Sequence, residues 1–168
     1  AYRSTLRDGA RYSAGVSVLK PISDNLHVYG ALAHNVRHAD SAVFSGAEHS
    51  ARVELVYGRG FHGNAYASAE YRQGDTVSSG RPSLAALDIS HVASVDDAFA
   101  GYTAYRYDGR SALYTLGYTL PFGPRNALDL NWRHVRTRAD RGAQFSAFSA
   151  QAPRYVTDQV TLAYLTSF

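Results

Sequence analysis

The chain closes on fourteen residues, Tyr155 to Phe168, in which polarity changes at almost every step. Val156, Asp158, Val160, Leu162, Tyr164, Thr166 and Phe168 form one set, and Tyr155, Thr157, Gln159, Thr161, Ala163, Leu165 and Ser167 form the other. The first set is largely apolar with aromatics near its end; the second is mostly small or polar. Successive side chains of a strand point to opposite faces, so an extended strand sorts this segment into one greasy and one wetter face.

The same two-residue period runs through the chain. Ala14, Val16 and Val18 oppose Arg11, Ser13, Gly15 and Ser17; Leu26, Val28 and Leu32 oppose His27, Tyr29, Asn35 and Arg37. Further segments follow at 51–61, 65–72, 85–90, 99–107, 114–122 and 128–133, with a short piece at 1–8. Pro21, Ser23-Asp24-Asn25, His62-Gly63-Asn64 and Gly123-Pro124-Arg125 punctuate them, and Asp8-Gly9 and Asp108-Gly109 are strong hairpin signals. No segment carries a convincing 3.6-residue period. The expectation is a single all-β domain over 1–168 with about ten antiparallel strands.

Composition narrows this. With no cysteine, neither a disulfide framework nor a thiolate metal site is available. The net charge of +3 is spread along the chain rather than gathered on one face, so nucleic acid is not an expected partner. No run approaches the ~20 apolar residues of a membrane helix. Thirteen Tyr and fourteen Gly suit a β-barrel, which uses aromatics at membrane interfaces and glycine at bends.

Connection lengths add an orientation. The breaks at 23–25, 62–64, 95–97 and 123–125 are short, whereas those at 38–50, 74–82 and 139–153 are long. Mid-strand charges of both signs share the wetter face: Arg11, Arg37, Arg52, Glu54, Glu70, Arg72, Asp88, Arg106, Asp129 and Arg133. A soluble antiparallel sandwich would explain the alternation equally well but would show these charges to water. The terminal strand, with its aromatic last residue, resembles the C-terminal strand of Gram-negative outer-membrane β-barrels, specifically in class and without indicating which barrel. The resemblance implies an antiparallel up-and-down transmembrane barrel integral to the bacterial outer membrane. Phe168 would lie at the periplasmic rim, and Phe168 with Tyr164 would form the signal read by the barrel-assembly machinery. The ten mid-strand charges would then form a network lining the lumen. Bacterial barrels have even strand numbers, so either residues 1–8 supply a first strand or the chain is the C-terminal part of a larger barrel. About ten strands so lined would be partly plugged.

Catalytic chemistry finds little purchase. Omptin-like proteases set acidic residues and a His on opposite walls of the outer rim. Asp96-Asp97 near His91 is the nearest match, but the counting above puts it in a periplasmic turn. Ser90-His91 lacks the spacing of lipid A deacylases, and His134 beside Trp132 lacks the Ser and Asn partners of a membrane phospholipase. His34 and His38 have no third ligand at metal spacing. No catalytic residue, metal or cofactor is expected. Arg133, His134, Arg136, Arg138 and Arg141 cluster at the outer end of a strand, and Arg136 and Arg138 are candidate contacts for lipopolysaccharide phosphates. The leading expectation is a porin-like barrel for transport or export, narrow and partly plugged. The alternatives are a scaffolding barrel that binds partners through its loops and, less favoured, a surface hydrolase. Expected partners are outer-membrane lipid and lipopolysaccharide, and a protein partner or further strands of the same barrel.

Overall fold

The computed structural model describes residues 6–58, 62–140 and 154–166. Its strands are β1 (Gly9–Pro21), β2 (Leu26–Ala39), β3 (Gly46–Gly58), β4 (Asn64–Gly80), β5 (Val92–Val95), β6 (Thr103–Pro121), β7 (Asn126–Ala139) and β8 (Arg154–Thr166). A 3-10 turn (Ala42–Phe44) joins β2 to β3, and a short helix, α1 (Leu84–Ile89), lies between β4 and β5. All eight strands belong to one antiparallel sheet in the order β1-β2-β3-β4-β6-β7-β8, with β5 beside the first residues of β6. The fold is all-β. Among the described residues β1 and β8 do not pair, so the sheet is open along that seam.

The count of eight, rather than about ten, has a local cause. Asp108-Gly109 does not turn. Asp108 pairs with Asp75, and Gly109 is held between Gly74 and Ala139, so the segments on either side become one nineteen-residue strand. A two-residue hairpin turn of this type needs positive φ at its centre, which Gly109 does not adopt. A ladder running from Asn64 to Gly80 overrides the local signal. That ladder also turns most of the expected 74–82 loop into strand. The expected strand at 85–90 is instead α1, because Ala86 and Ile89, three residues apart, pack together against Tyr105, Tyr107 and Ala139. Six apolar-rich residues fit either period. Residues 6–8 give no first strand: Leu6 and Asp8 accept backbone bonds from Ser41 and Asp40. Residues 1–5 and Phe168 lie outside the described residues.

With β6 continuous, the ends of the sheet sort differently. The connections 22–25 and 122–125, with the end of β3 and the start of β4, lie where β8 finishes, and Gly123 (φ +91°) makes the last turn tight. The connections 40–45, 81–91 and 96–102 lie at the opposite end, where β7 finishes and β8 begins, so Asp96-Asp97 is at the longer-loop end and not, as counting suggested, among the short turns.

Polarity follows the register. Ala14, Val16 and Val18 share a face with Leu32, Val53, Leu55, Tyr71, Leu116, Trp132, Val160 and Leu162, and this face is exposed, Val16 to 70% and Leu162 to 69%. Apart from Leu113, on the wetter face in the middle of β6, the buried apolar residues gather at the long-loop end. There Val43, Phe44 and Ala104 pack with Leu6, Val77 and Val92 on one face of the β4–β6–β5 extension, and α1 covers the other. The chain exposes 11509 Å² where a compact monomer of 18.3 kDa exposes about 8,100 Å². The excess is in the direction expected of a sheet with an uncovered face.

Val43→Ala, at a fully buried site, is expected to lower unfolding free energy by about 2 kcal/mol. Val16→Ala on the uncovered face should change it by less than ~0.5 kcal/mol. Equilibrium urea unfolding in detergent micelles checks this, and equal effects would contradict the assignment of the core.

Candidate functional site

The wetter face is concave. Arg11 (β1), Arg37 (β2), Glu48 (β3), Arg72 (β4), Ser111 (β6) and Arg133 (β7) line one cavity of about 430 Å³, so strands distant in the sheet order curl around a common space. Register explains the gathering. Arg11 is opposite Arg37; Asn35 opposite Glu48; Arg52 opposite Glu70; and Arg133 lies in the row of Glu54, Ser68 and Thr115.

Several of these charges pair locally. Arg11 lies 3.5 Å from Glu48, Arg72 Nε donates to Glu70 at 2.6 Å, and Arg52 donates to Glu54. Asn35 bridges Ser13 and Glu48. Arg37 and Arg133 make no ion pair among the described residues. Asp129 has no cation either; Tyr66, Thr119 and Asn131 hold its carboxylate with hydroxyl and amide donors at 2.7–3.1 Å. Tyr66 reaches it across Gly117, where any Cβ would sit 2.1 Å from the phenol ring, so glycine here is a matter of space.

Eight of the ten expected network charges thus share the concave face, and two do not. Asp88 is on α1 rather than on a strand. Arg106 falls on the opposite face of β6, next to Val77 and Val92, and ties that strand to the β2–β3 connection. Its Nη1 donates to the Ser45 carbonyl at 2.9 Å, and its Nε lies 3.6 Å from Asp75. Arg106 and Ser111, which lines the cavity, are five residues apart, so they fall on opposite faces of the strand.

A second polar assembly, not foreseen in the sequence, fastens the long-loop end. Asp96 is buried at 4% exposure, and Arg7 Nη2 donates to both its oxygens at 2.9 and 3.0 Å. Ser79 Oγ and the Ala98 N–H also donate to Asp96. Arg7 Nε and the Leu6 N–H donate to Asp97, and the guanidinium lies 4.2 Å over the Phe44 ring. The distance of about ninety residues between partners leaves no sequence signal. His91 is engaged by Asp108 at 3.1 Å, and His134 by Asp158 at 2.9 Å. Neither imidazole bonds a hydroxyl nucleophile among the described residues, and no three ionisable side chains there converge as metal ligands.

Arg136 and Arg138 stand on the apolar, convex face, joined there by Arg110 and Arg154. Tyr164 is on the same face and donates to Asn126 at 2.8 Å. Arg141 lies outside the described residues. No protein-family model matches the chain, and neither a curated protein nor a solved structure is significantly similar to it.

Burial pushes the Asp96 carboxyl up, but the bonds from Ser79, the Ala98 N–H and Arg7, together with the Arg7 charge, hold it below its ordinary value. A depressed carboxylate stabilises fully above its unfolded pKa and loses that contribution as pH falls through the folded one. Amide-exchange protection of 92–99 is therefore expected to hold above the ordinary carboxylate range, to begin to fall as pH drops through it, and to keep falling below it. Asp96→Asn should reduce it at neutral pH by about 1–3 kcal/mol of local stability. Unchanged protection in the variant would contradict the fastening role.

Proposed function

We propose that the chain forms a β-barrel wall in a bacterial outer membrane around a narrow, charged and partly plugged passage for transport or export. The observation that carries this is the alignment of polarity across strands on the convex face. Lys20, Val28, Leu55, Ala67, Leu116, Trp132 and Val160 are consecutive cross-strand neighbours, and Leu26, Tyr57, Ala65, Tyr118, Leu130 and Leu162 form the next row. Leu120, Leu128 and Tyr164 follow. Toward the long loops the change is abrupt, and one row reads Ala14, His34, His49, Gln73, Arg110, Arg138, Arg154. From Ala112 to Leu120 is eight residues, ~26 Å along the strand and ~20 Å along the normal at a tilt of ~40°, close to the ~25 Å apolar band of outer-membrane barrels.

An exposed apolar band this continuous marks a lipid or protein interface, and the facing cavity is lined with arginine and glutamate. Lipid accounts for both, because ionisable groups at membrane depth turn inward. The edges of β1 and β8 each expose backbone groups that hydrocarbon would leave unsatisfied. In the membrane the seam closes, by pairing of these edges or through further strands of the same barrel. The β4–β6–β5 extension, with α1 and the Arg7–Asp96 fastening, partly covers the long-loop mouth.

The buried, fastened cap favours a second reading, a barrel that anchors or scaffolds partners through its loops. Folding the chain into vesicles and recording planar-bilayer conductance tests both. Small, stable current steps from heat-modifiable protein are expected of a narrow passage. A folded, inserted barrel without conductance would leave the scaffold, and failure to insert would overturn the membrane reading.

A further inference from the structure

Arg110 on β6, Arg138 on β7 and Arg154 on β8 are direct cross-strand partners on the convex face, and Arg136 sits one row nearer the middle, between Ala112 and Val156. Like charges directly opposite each other destabilise an antiparallel pair. Here three stand abreast. Arg110 has a carboxylate partner, Asp140 at 2.6 Å. Arg136, Arg138 and Arg154 have none among the described residues.

Two other acids share this face, and both are turned to neighbours: Asp108, two residues before Arg110, lies 3.1 Å from His91, while Asp158 accepts from Trp132 Nε1 at 3.1 Å and has His134 Nδ1 at 2.9 Å. Four arginines thus face three carboxylates, each already engaged, and Arg136, Arg138 and Arg154 are left to an external polyanion. Below the arginines on the same three strands come Leu116, Trp132 and Val160, then Tyr118, Leu130 and Leu162. A cationic row above an apolar strip matches an amphiphile with an anionic head. The planar guanidinium forks suit phosphate oxygens, which they can engage two at a time.

We propose that the convex face of β6, β7 and β8 binds a membrane amphiphile by its headgroup phosphates. Arg110, Arg136, Arg138 and Arg154 hold the phosphates, and the acyl chains run along Leu116, Trp132 and Val160. The site rests on the reading that this face meets lipid. It also gives Arg136 and Arg138 two partners from neighbouring strands that lie far from them in sequence.

Trp132 is the chain's sole tryptophan and sits beneath the arginines, so it reports occupancy directly. The full chain, folded in nonionic micelles, is titrated with phosphatidic acid or phosphatidylcholine carrying brominated acyl chains, and quenching of Trp132 is followed. Phosphatidic acid is expected to quench half-maximally at a roughly tenfold lower mole fraction. Replacing Arg110, Arg138 and Arg154 together by Gln should abolish that preference; R136Q/R138Q, a milder change, should reduce it; and Arg125→Gln, in the turn at the other end, should retain it. Equal quenching by both lipids in the wild type, or a preference that survives the triple and double variants, overturns the phosphate site while leaving the lipid-facing reading intact. Loss of the preference on adding millimolar inorganic phosphate overturns the amphiphile as occupant. Quenching by neither lipid overturns the lipid-facing reading itself.

Discussion

An unbroken two-residue register is the constraint on which the rest of the molecule depends. Each ladder from β1 to β8 keeps a constant offset, with no bulge to shift parity. Because side chains alternate strictly, a slip of one residue in any strand would move its arginines to the apolar face and its leucines into the cavity. The ion pairs of the concave face are consequences of this registry: Arg52–Glu54 and Arg72–Glu70 join residues two apart on one face of one strand, and Arg11–Glu48 spans strands two apart in the sheet order. Partly exposed pairs of this kind contribute little net stability, but a slipped register would part Arg11 from Glu48 and carry the two intrastrand pairs to the apolar face.

The apolar band and the packed core do different jobs in different places. A globular protein of this size would bury its strand leucines; here Leu113 alone among the described strand leucines is buried, and Val43, Phe44, Ala104, Tyr105 and Tyr107 are buried at one end of the sheet. That end carries the longer connections, and its elements come from distant parts of the chain: residues 6–8, 40–45, 75–79 and 92–99. Asp96 joins them because one carboxylate takes donors from Arg7, Ser79 and its own following turn. The remainder of the sheet relies on backbone pairing and on a convex surface whose apolar side chains gain stability only when something apolar covers them.

Which side chain shares a face with which was legible in the sequence wherever alternation ran long, as in Tyr114 to Phe122 or Val156 to Tyr164, and the concave charges of β1 to β4 follow from that. What was not legible depended on ladders. Asp108-Gly109 has the local chemistry of a hairpin, and only its pairing with Gly74 and Asp75 keeps it extended. Reading it as a turn added a strand and moved Asp96-Asp97 to the wrong end. Segment 84–89 offers two apolar periods at once, and the aromatic surface of Tyr105 and Tyr107 selects the helical one. The row Arg110, Arg138, Arg154 exists only once two registers are known, so the sequence displays a cluster of four arginines between 133 and 141 without its cross-strand neighbours.

The central claim is that the convex face meets lipid while the concave face meets water. The chain has no cysteine, so single cysteines can be placed at will. Cysteines at Tyr114, Thr115, Leu116, Gly117 and Tyr118, labelled with a fluorophore in vesicle-inserted protein, report lipid contact through quenching by spin-labelled lipid. The account predicts strong quenching at 114, 116 and 118 and weak quenching at 115 and 117. A flat profile, or one with the strong positions at 115 and 117, would contradict it.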